Sequence, residues 1–159
     1  MLYSISFSST SVKDISTLSR LSLLHEIYGH ATQIHNLTLL SQLYQLEVIA
    51  AGGTHVHDIS SLSNLHNIRI DLRASQVKNI NPLSNMPRLT TLNLSSCNLD
   101  SFPHEVLNKP SLQVLHLHAS RISGIPDGVL SQDLYHNCLD SLRAHFGDLD
   151  AGAATITDV

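Results

Sequence analysis

Histidine is the residue in this chain whose number and spacing most invite a chemical reading. There are 11 in 159 residues, and two pairs have the form HxH, His55 with His57 and His116 with His118. Two imidazoles at that spacing can supply two ligands to a zinc ion. A third ligand is missing from sequence reach, so the pairs read as solvated surface histidines. Cys97 and Cys138 both fall at apolar positions of the pattern described below. They read as small buried side chains and not as reactive thiols. Serines, histidines and acids are too numerous for their presence to imply a hydrolytic triad, which is defined by geometry. The chain holds no nucleophile motif, paired catalytic carboxylates or cofactor loop, and no GxxxxGK[ST] run for a nucleotide phosphate. The expectation is a non-enzyme with no cofactor, no metal and no small-molecule substrate.

The elements that carry these residues follow from a repeat. From Leu2 the pattern LxxIxFxxTxVxxIxxLxxL recurs about every 22 residues, with unit starts near 2, 24, 46, 67, 89 and 112. The first unit places Leu2, Ile5, Phe7, Thr10, Val12, Ile15, Leu18 and Leu21, and the third places Leu46, Ile49, Ala51, Thr54, Val56, Ile59, Leu62 and Leu65. The fourth is one residue short near Ile68 and regains phase at Ile70. A unit this small cannot bury its apolar face alone, so the units must stack into a solenoid. Alternation at Leu92, Asn93 and Leu94 marks a short half-buried strand.

The segments LTTLNLSSCNLDSFP at 89–103 and VHDISSLSNL at 56–65 resemble leucine-rich repeats of the 22-residue, internalin-like kind, over about three quarters of the chain. The resemblance implies an α/β solenoid: an arc of short parallel strands on the concave face, with irregular or 3₁₀ convex segments. The family's turn position, usually Asn, carries Thr10, Thr32, Thr54, Ser75, Cys97 and Ser120 here. A thinner ladder of buried hydrogen bonds between units is expected, with lower stability per unit. Pro103 and Pro126 predict an extended, irregular convex wall in the last two units.

Residues 1–130 are therefore read as about six repeats, 131–150 as a helix and 151–159 as a tail. Over 131–149 the apolar Leu134, Tyr135, Cys138, Leu139, Leu142, Phe146 and Leu149 share one side of a helix, which suits a C-terminal cap over the sixth repeat. The run YHNCLDSLRAHFGDLDAGAA at 135–154 is similar to the linking helix that precedes the GTPase domain of bacterial Roco proteins. That similarity implies a downstream domain after Val159. At the other end Leu2, Ile5 and Phe7 have no visible partner on one side; more repeats before Met1, a docked partner and a fraying edge all account for this.

Composition narrows the partners. A net charge of -4 with the nine Lys and Arg scattered excludes a nucleic-acid footprint, and no apolar run is long enough to span a membrane. Two cysteines make no disulfide framework, whereas exported proteins of the resembled family usually cap their ends with disulfides. A cytoplasmic chain is expected. What remains is the concave face. Its columns are predicted as Ser4, Glu26, Val48, Arg69, Thr91 and Val114; then Ser6, Tyr28, Ala50, Asp71, Asn93 and His116; then Ser8, His30, Gly52, Arg73, Ser95 and His118. Glu26, Tyr28, His30, Arg69, Asp71, Arg73, Asn93, His116 and His118 are the candidate partner-binding residues, with the small Ala50 and Gly52 leaving room for a partner side chain. The expected role is a protein-interaction module that binds a protein or downstream domains of its own chain, as the regulatory segment of a Roco-type GTPase. A stand-alone bacterial repeat effector is the alternative, and a regulator of another enzyme is a third reading.

Overall fold

A computed structural model describes residues 1–65, 68–107 and 109–122. Six three-residue strands, β1 Ser4–Ser6, β2 Glu26–Tyr28, β3 Val48–Ala50, β4 Arg69–Asp71, β5 Thr91–Asn93 and β6 Val114–His116, form one sheet in chain order. Every neighbouring pair is parallel and in register, with Ile5, Ile27, Ile49, Ile70, Leu92 and Leu115 side by side. Parallel strands require a crossover, and here each crossover is the convex part of the same unit. The short fourth unit keeps this register: Val48 pairs with Arg69 and Arg69 with Thr91.

Convex segments of units one to four are 3₁₀ helices, Ser16–Arg20, Thr38–Gln42, Ser60–Asn64 and Asn81–Asn85. Each is introduced by an Asx turn: the side-chain oxygen of Asp14, Asn36, Asp58 or Asn79 accepts the backbone N–H two residues on, at 2.7–2.9 Å. The fifth unit departs from expectation. Pro103 does not extend the wall but opens a single α-helical turn, α1, His104–Leu107. Pro103 precedes the turn as its cap, its carbonyl accepting the Val106 N–H at 3.3 Å. Pro126 and the helix read over 131–150 lie outside the described residues.

Between strands and convex segments the apolar columns close into one continuous core, in which Leu24, Leu46, Leu62, Leu65, Leu72, Leu83 and Leu92 have no exposed surface. Such burial is worth about 1.5–3 kcal/mol per side chain. One column varies in size along the arc, Phe7, Gly29, Ala51, Leu72, Leu94, Leu117. A Cβ built on Gly29 would lie 2.6 Å from Cε2 of Phe7, so the first unit's ring fills the space that the second unit's side chain leaves. At that end Leu2 and Tyr3 are 47% and 51% exposed, while Ile5 and Phe7 pack on the core from one side.

The hydroxyl column behaves differently from a ladder. Thr10, Thr32 and Thr54 donate within their own units, to the carbonyls of Phe7, Gly29 and Ala51 at 2.6, 2.8 and 2.7 Å, and Ser120 donates to Leu117. Among the side-chain bonds of this column, the links between units come from Cys97, whose Sγ donates to the Leu72 carbonyl at 3.1 Å and lies 3.6 Å from Ser75 Oγ. A hydroxyl on so short a side chain reaches the carbonyl three residues back more readily than the next unit. Units are instead tied on this flank by the backbone, where Gln33, His55, Gln76 and Asp100 donate to Val12, Ile34, Val56 and Lys78 at 2.9–3.2 Å.

Candidate functional site

The three outward columns share the concave face because the strands alternate and stay in register. Strand pairing aligns the first two directly. Bonds from Ser9 to His30, Ala31 to Gly52, Gly53 to Arg73, Ala74 to Ser95 and Ser96 to His118 align the third. These donors have φ between 52 and 67°, a left-handed turn that lifts the chain off each strand. Glycine takes that conformation without strain, yet only Gly53 does so here; Ser9, Ala31, Ala74, Ser96 and Ala119 adopt it as L-residues held by the stack.

Across the middle of this face lies a hollow of about 360 Å³. The Ala50 side chain and the backbone of Ile49 and Ile70, whose side chains face the core, form its floor; Glu26, Tyr28, Arg69, His30, Asp71, Asn93 and His116 stand around it. Seven of the nine candidate residues are therefore brought together. Arg73 and His118 are not on its lining. Val48 and Thr91, which do line it, belong to the predicted columns but were not singled out by type, since neither carries charge or an aromatic ring.

Electrostatically the hollow has two parts. Asp71 Oδ2 sits 3.9 Å from His30 Nε2 and 3.8 Å from Arg73 Nε, while its Oδ1 accepts the Arg73 backbone N–H at 3.1 Å. The Nδ1 of His30 accepts the Gly52 N–H at 3.1 Å, which fixes the neutral tautomer with its proton on Nε2, toward Asp71. Both ring nitrogens are thus engaged, and although Ser8 Oγ accepts the His30 backbone N–H at 3.1 Å, no nitrogen is left to activate that hydroxyl. The same closure corrects the expectation for Gly52. A Cβ there would lie 2.7 Å from Arg73 Cγ and 3.0 Å from His30 Nδ1, so the chain's own side chains occupy the space.

On the opposite side Arg69 is exposed and forms no ion pair among the described residues. Partial burial, and after it the Glu26 carboxylate, raise the Tyr28 hydroxyl above its ordinary value, with Arg69 acting the other way. Tyr28 stays a protonated donor at neutral pH. A small side chain, Ala50, between the Arg69 guanidinium and the Tyr28–Glu26 pair makes a surface suited to recognition, since Tyr and Arg are enriched at energetic hot spots.

The thiol of Cys97 is buried, and burial pushes it above its ordinary value, which removes it as a nucleophile. No group of three or more His, Cys, Asp or Glu among the described residues is placed to hold a metal ion. Cys138 lies outside them. No described helix is long and apolar enough to cross a membrane.

No family model and no curated protein matches this chain. Solved structures do. Internalin C2 of Listeria monocytogenes superposes with a TM-score of 0.68 at 23% identity, over 72% of this chain and 50% of its own. A leucine-rich repeat protein of Leptospira interrogans gives 0.75 at 18%, over 86% and 36%. The functional domain of InlJ from L. monocytogenes, described as including a cysteine ladder, gives 0.65 at 18%, over 80% and 27%. The fold is a leucine-rich repeat solenoid, and the chain spans half or less of the length of these structures.

Proposed function

We propose that this solenoid is a non-enzymatic protein-interaction module that binds its partner through the concave hollow around Ala50. The observation that carries the reading is Arg69, without an ion pair among the described residues, near Tyr28 on an in-register sheet, across the small side chain of Ala50. A backbone already fixed in the sheet lowers the entropy cost of association. The partner is a protein or another domain of the same polypeptide.

The finer reading, a regulatory segment of a Roco-type GTPase in the cytoplasm, rests on the sequence resemblance at 135–154 and on cysteine usage alone. A stand-alone repeat protein remains the alternative.

Photo-crosslinking tests the surface without a known partner. A benzoylphenylalanine introduced at Tyr28 in cells is expected to capture a protein adduct, and one at the exposed, convex Leu39 is not. Arg69→Glu should reduce the Tyr28 adduct roughly tenfold while leaving thermal unfolding unchanged. Adducts from Leu39 alone would move the interface to the convex side and sink the proposal.

A further inference from the structure

Two residues past each of β2 to β5, the backbone N–H is met by a side chain. His30 donates to Ser8 Oγ at 3.1 Å, Gly52 to His30 Nδ1 at 3.1 Å, Arg73 to Asp71 Oδ1 at 3.1 Å and Ser95 to Asn93 Oδ1 at 3.0 Å. The four acceptors are a hydroxyl, an imidazole, a carboxylate and a carboxamide. Imidazole is the one of these that takes up a proton between about pH 5 and pH 8, and on doing so it stops accepting, because a protonated ring carries a donor at each nitrogen.

Gly52 is buried, so water cannot readily replace Nδ1 as the acceptor of its N–H. Two donors facing one another at that site would be costly, and a protonated ring has reason to turn away. Around the ring stand Ser8 from the first unit, Gly52 from the third, and Asp71 and Arg73 from the fourth. Asp71 and Arg73 are the charged groups among these, and Glu26, Tyr28, Arg69 and His116 are the other titratable groups that line the hollow. Asp71 Oδ2 lies 3.9 Å from His30 Nε2 and 3.8 Å from Arg73 Nε, beyond hydrogen-bond reach of both, and has room for a closer N–H. An imidazolium gains a charge-assisted bond there. The Arg73 guanidinium opposes its approach, but that side chain is more than half exposed and can move into solvent.

We propose that His30 is a proton-controlled latch between the second and third units. Neutral, its Nδ1 holds the Gly52 N–H; protonated, it releases Gly52 and closes on Asp71 Oδ2 in place of Arg73. His30 and Asp71 both line the concave hollow, so one wall of that hollow changes shape and gains a positive charge as pH falls. The bearing of this on a partner rests on the function proposed for the hollow, whereas the latch itself needs no partner to be seen.

NMR of the full 159-residue chain between pH 8 and pH 5 reads both halves of the latch. At pH 8 the ¹⁵N shifts of the His30 ring should show a proton on Nε2 alone, with the Gly52 amide protected from hydrogen exchange. As the ring takes up its second proton, the protection factor of Gly52 should fall about tenfold. His30→Asn puts an amide oxygen close to the place of Nδ1 and removes the titration, so Gly52 should stay protected at both ends of the range. His30→Phe removes the acceptor and should leave Gly52 unprotected at both. A ring proton on Nδ1 at pH 8, a Gly52 protection factor that does not change across the titration, or a pH response that persists in His30→Asn would each overturn the proposal. Failure of the Tyr28 crosslink would overturn the interface and leave these outcomes untouched.

Discussion

At the scale of single residues, the same turn is built with a charged side chain in two units and a neutral one in two others. Asp14 and Asp58 accept the N–H of Ser16 and Ser60 as Asn36 and Asn79 accept those of Thr38 and Asn81. These bonds hold the carboxyls of Asp14 and Asp58 below the usual range, with His35 and His57 contributing less. A carboxyl depressed in the folded state adds stability above its unfolded pKa and loses it as pH falls through the folded one. Asp14→Asn with Asp58→Asn should therefore leave the melting temperature near pH 7 almost unchanged and flatten its decline between about pH 5 and pH 2. An identical acid limb in the double variant would show that other carboxylates carry the acid sensitivity. The Asx positions are legible from the repeat, because the period places Asp or Asn two residues before each of the first four convex segments. The closing of His30 and Arg73 over Gly52 is not, since it depends on rotamers from two neighbouring units.

Among the elements, the fifth unit shows where a periodic reading stops. Its convex segment is α-helical, and the position that holds Leu21, Leu43, Leu65 and Met86 in earlier units holds Lys109. The side chain resolves the conflict by sending its Nζ to the carbonyls of Ser84 and Met86, at 2.7 and 2.8 Å, at the end of the preceding 3₁₀ helix. A cation suits that end of a helix, where carbonyls are left without partners. Burial still lowers the lysine's affinity for its proton. Lys109→Met fits the apolar column but removes two charge-assisted bonds, so a loss of about 1 kcal/mol in denaturant unfolding is expected. A gain in stability would mean that desolvation outweighs the bonds. A lysine at a leucine position gives no advance sign of which carbonyls it will reach. The strands, by contrast, were readable to the residue, since a one-residue slip would turn each apolar side chain outward. The hydroxyl column was readable in position only. The direction in which a short side chain bonds is decided by local reach.

For the whole molecule, repetition settles both what is robust and what is exchangeable. The core is a set of apolar columns, so its register survives a unit one residue short, and the outward columns remain free to vary. Two hollows that share no lining residue, the concave one around Ala50 and another beside Gln76 and Asn98, can then lie on different faces of one scaffold. The arrangement of bonds has a mechanical consequence as well. Each strand is bonded side by side to the next, in chain order, and the polypeptide enters and leaves every unit along the stack. Tension applied between residues 2 and 117 loads these rows one after another, as a zipper is loaded, and never all together in shear. Under an optical trap the solenoid should yield at low force in regular steps of roughly 70 Å, the length released when one unit of about 22 residues straightens. A single large rupture would show instead that the backbone bonds on the flank bind the units into one mechanical block. The same coil that presents a stiff surface to a partner would thus behave, when pulled, as a soft spring with a defined stroke.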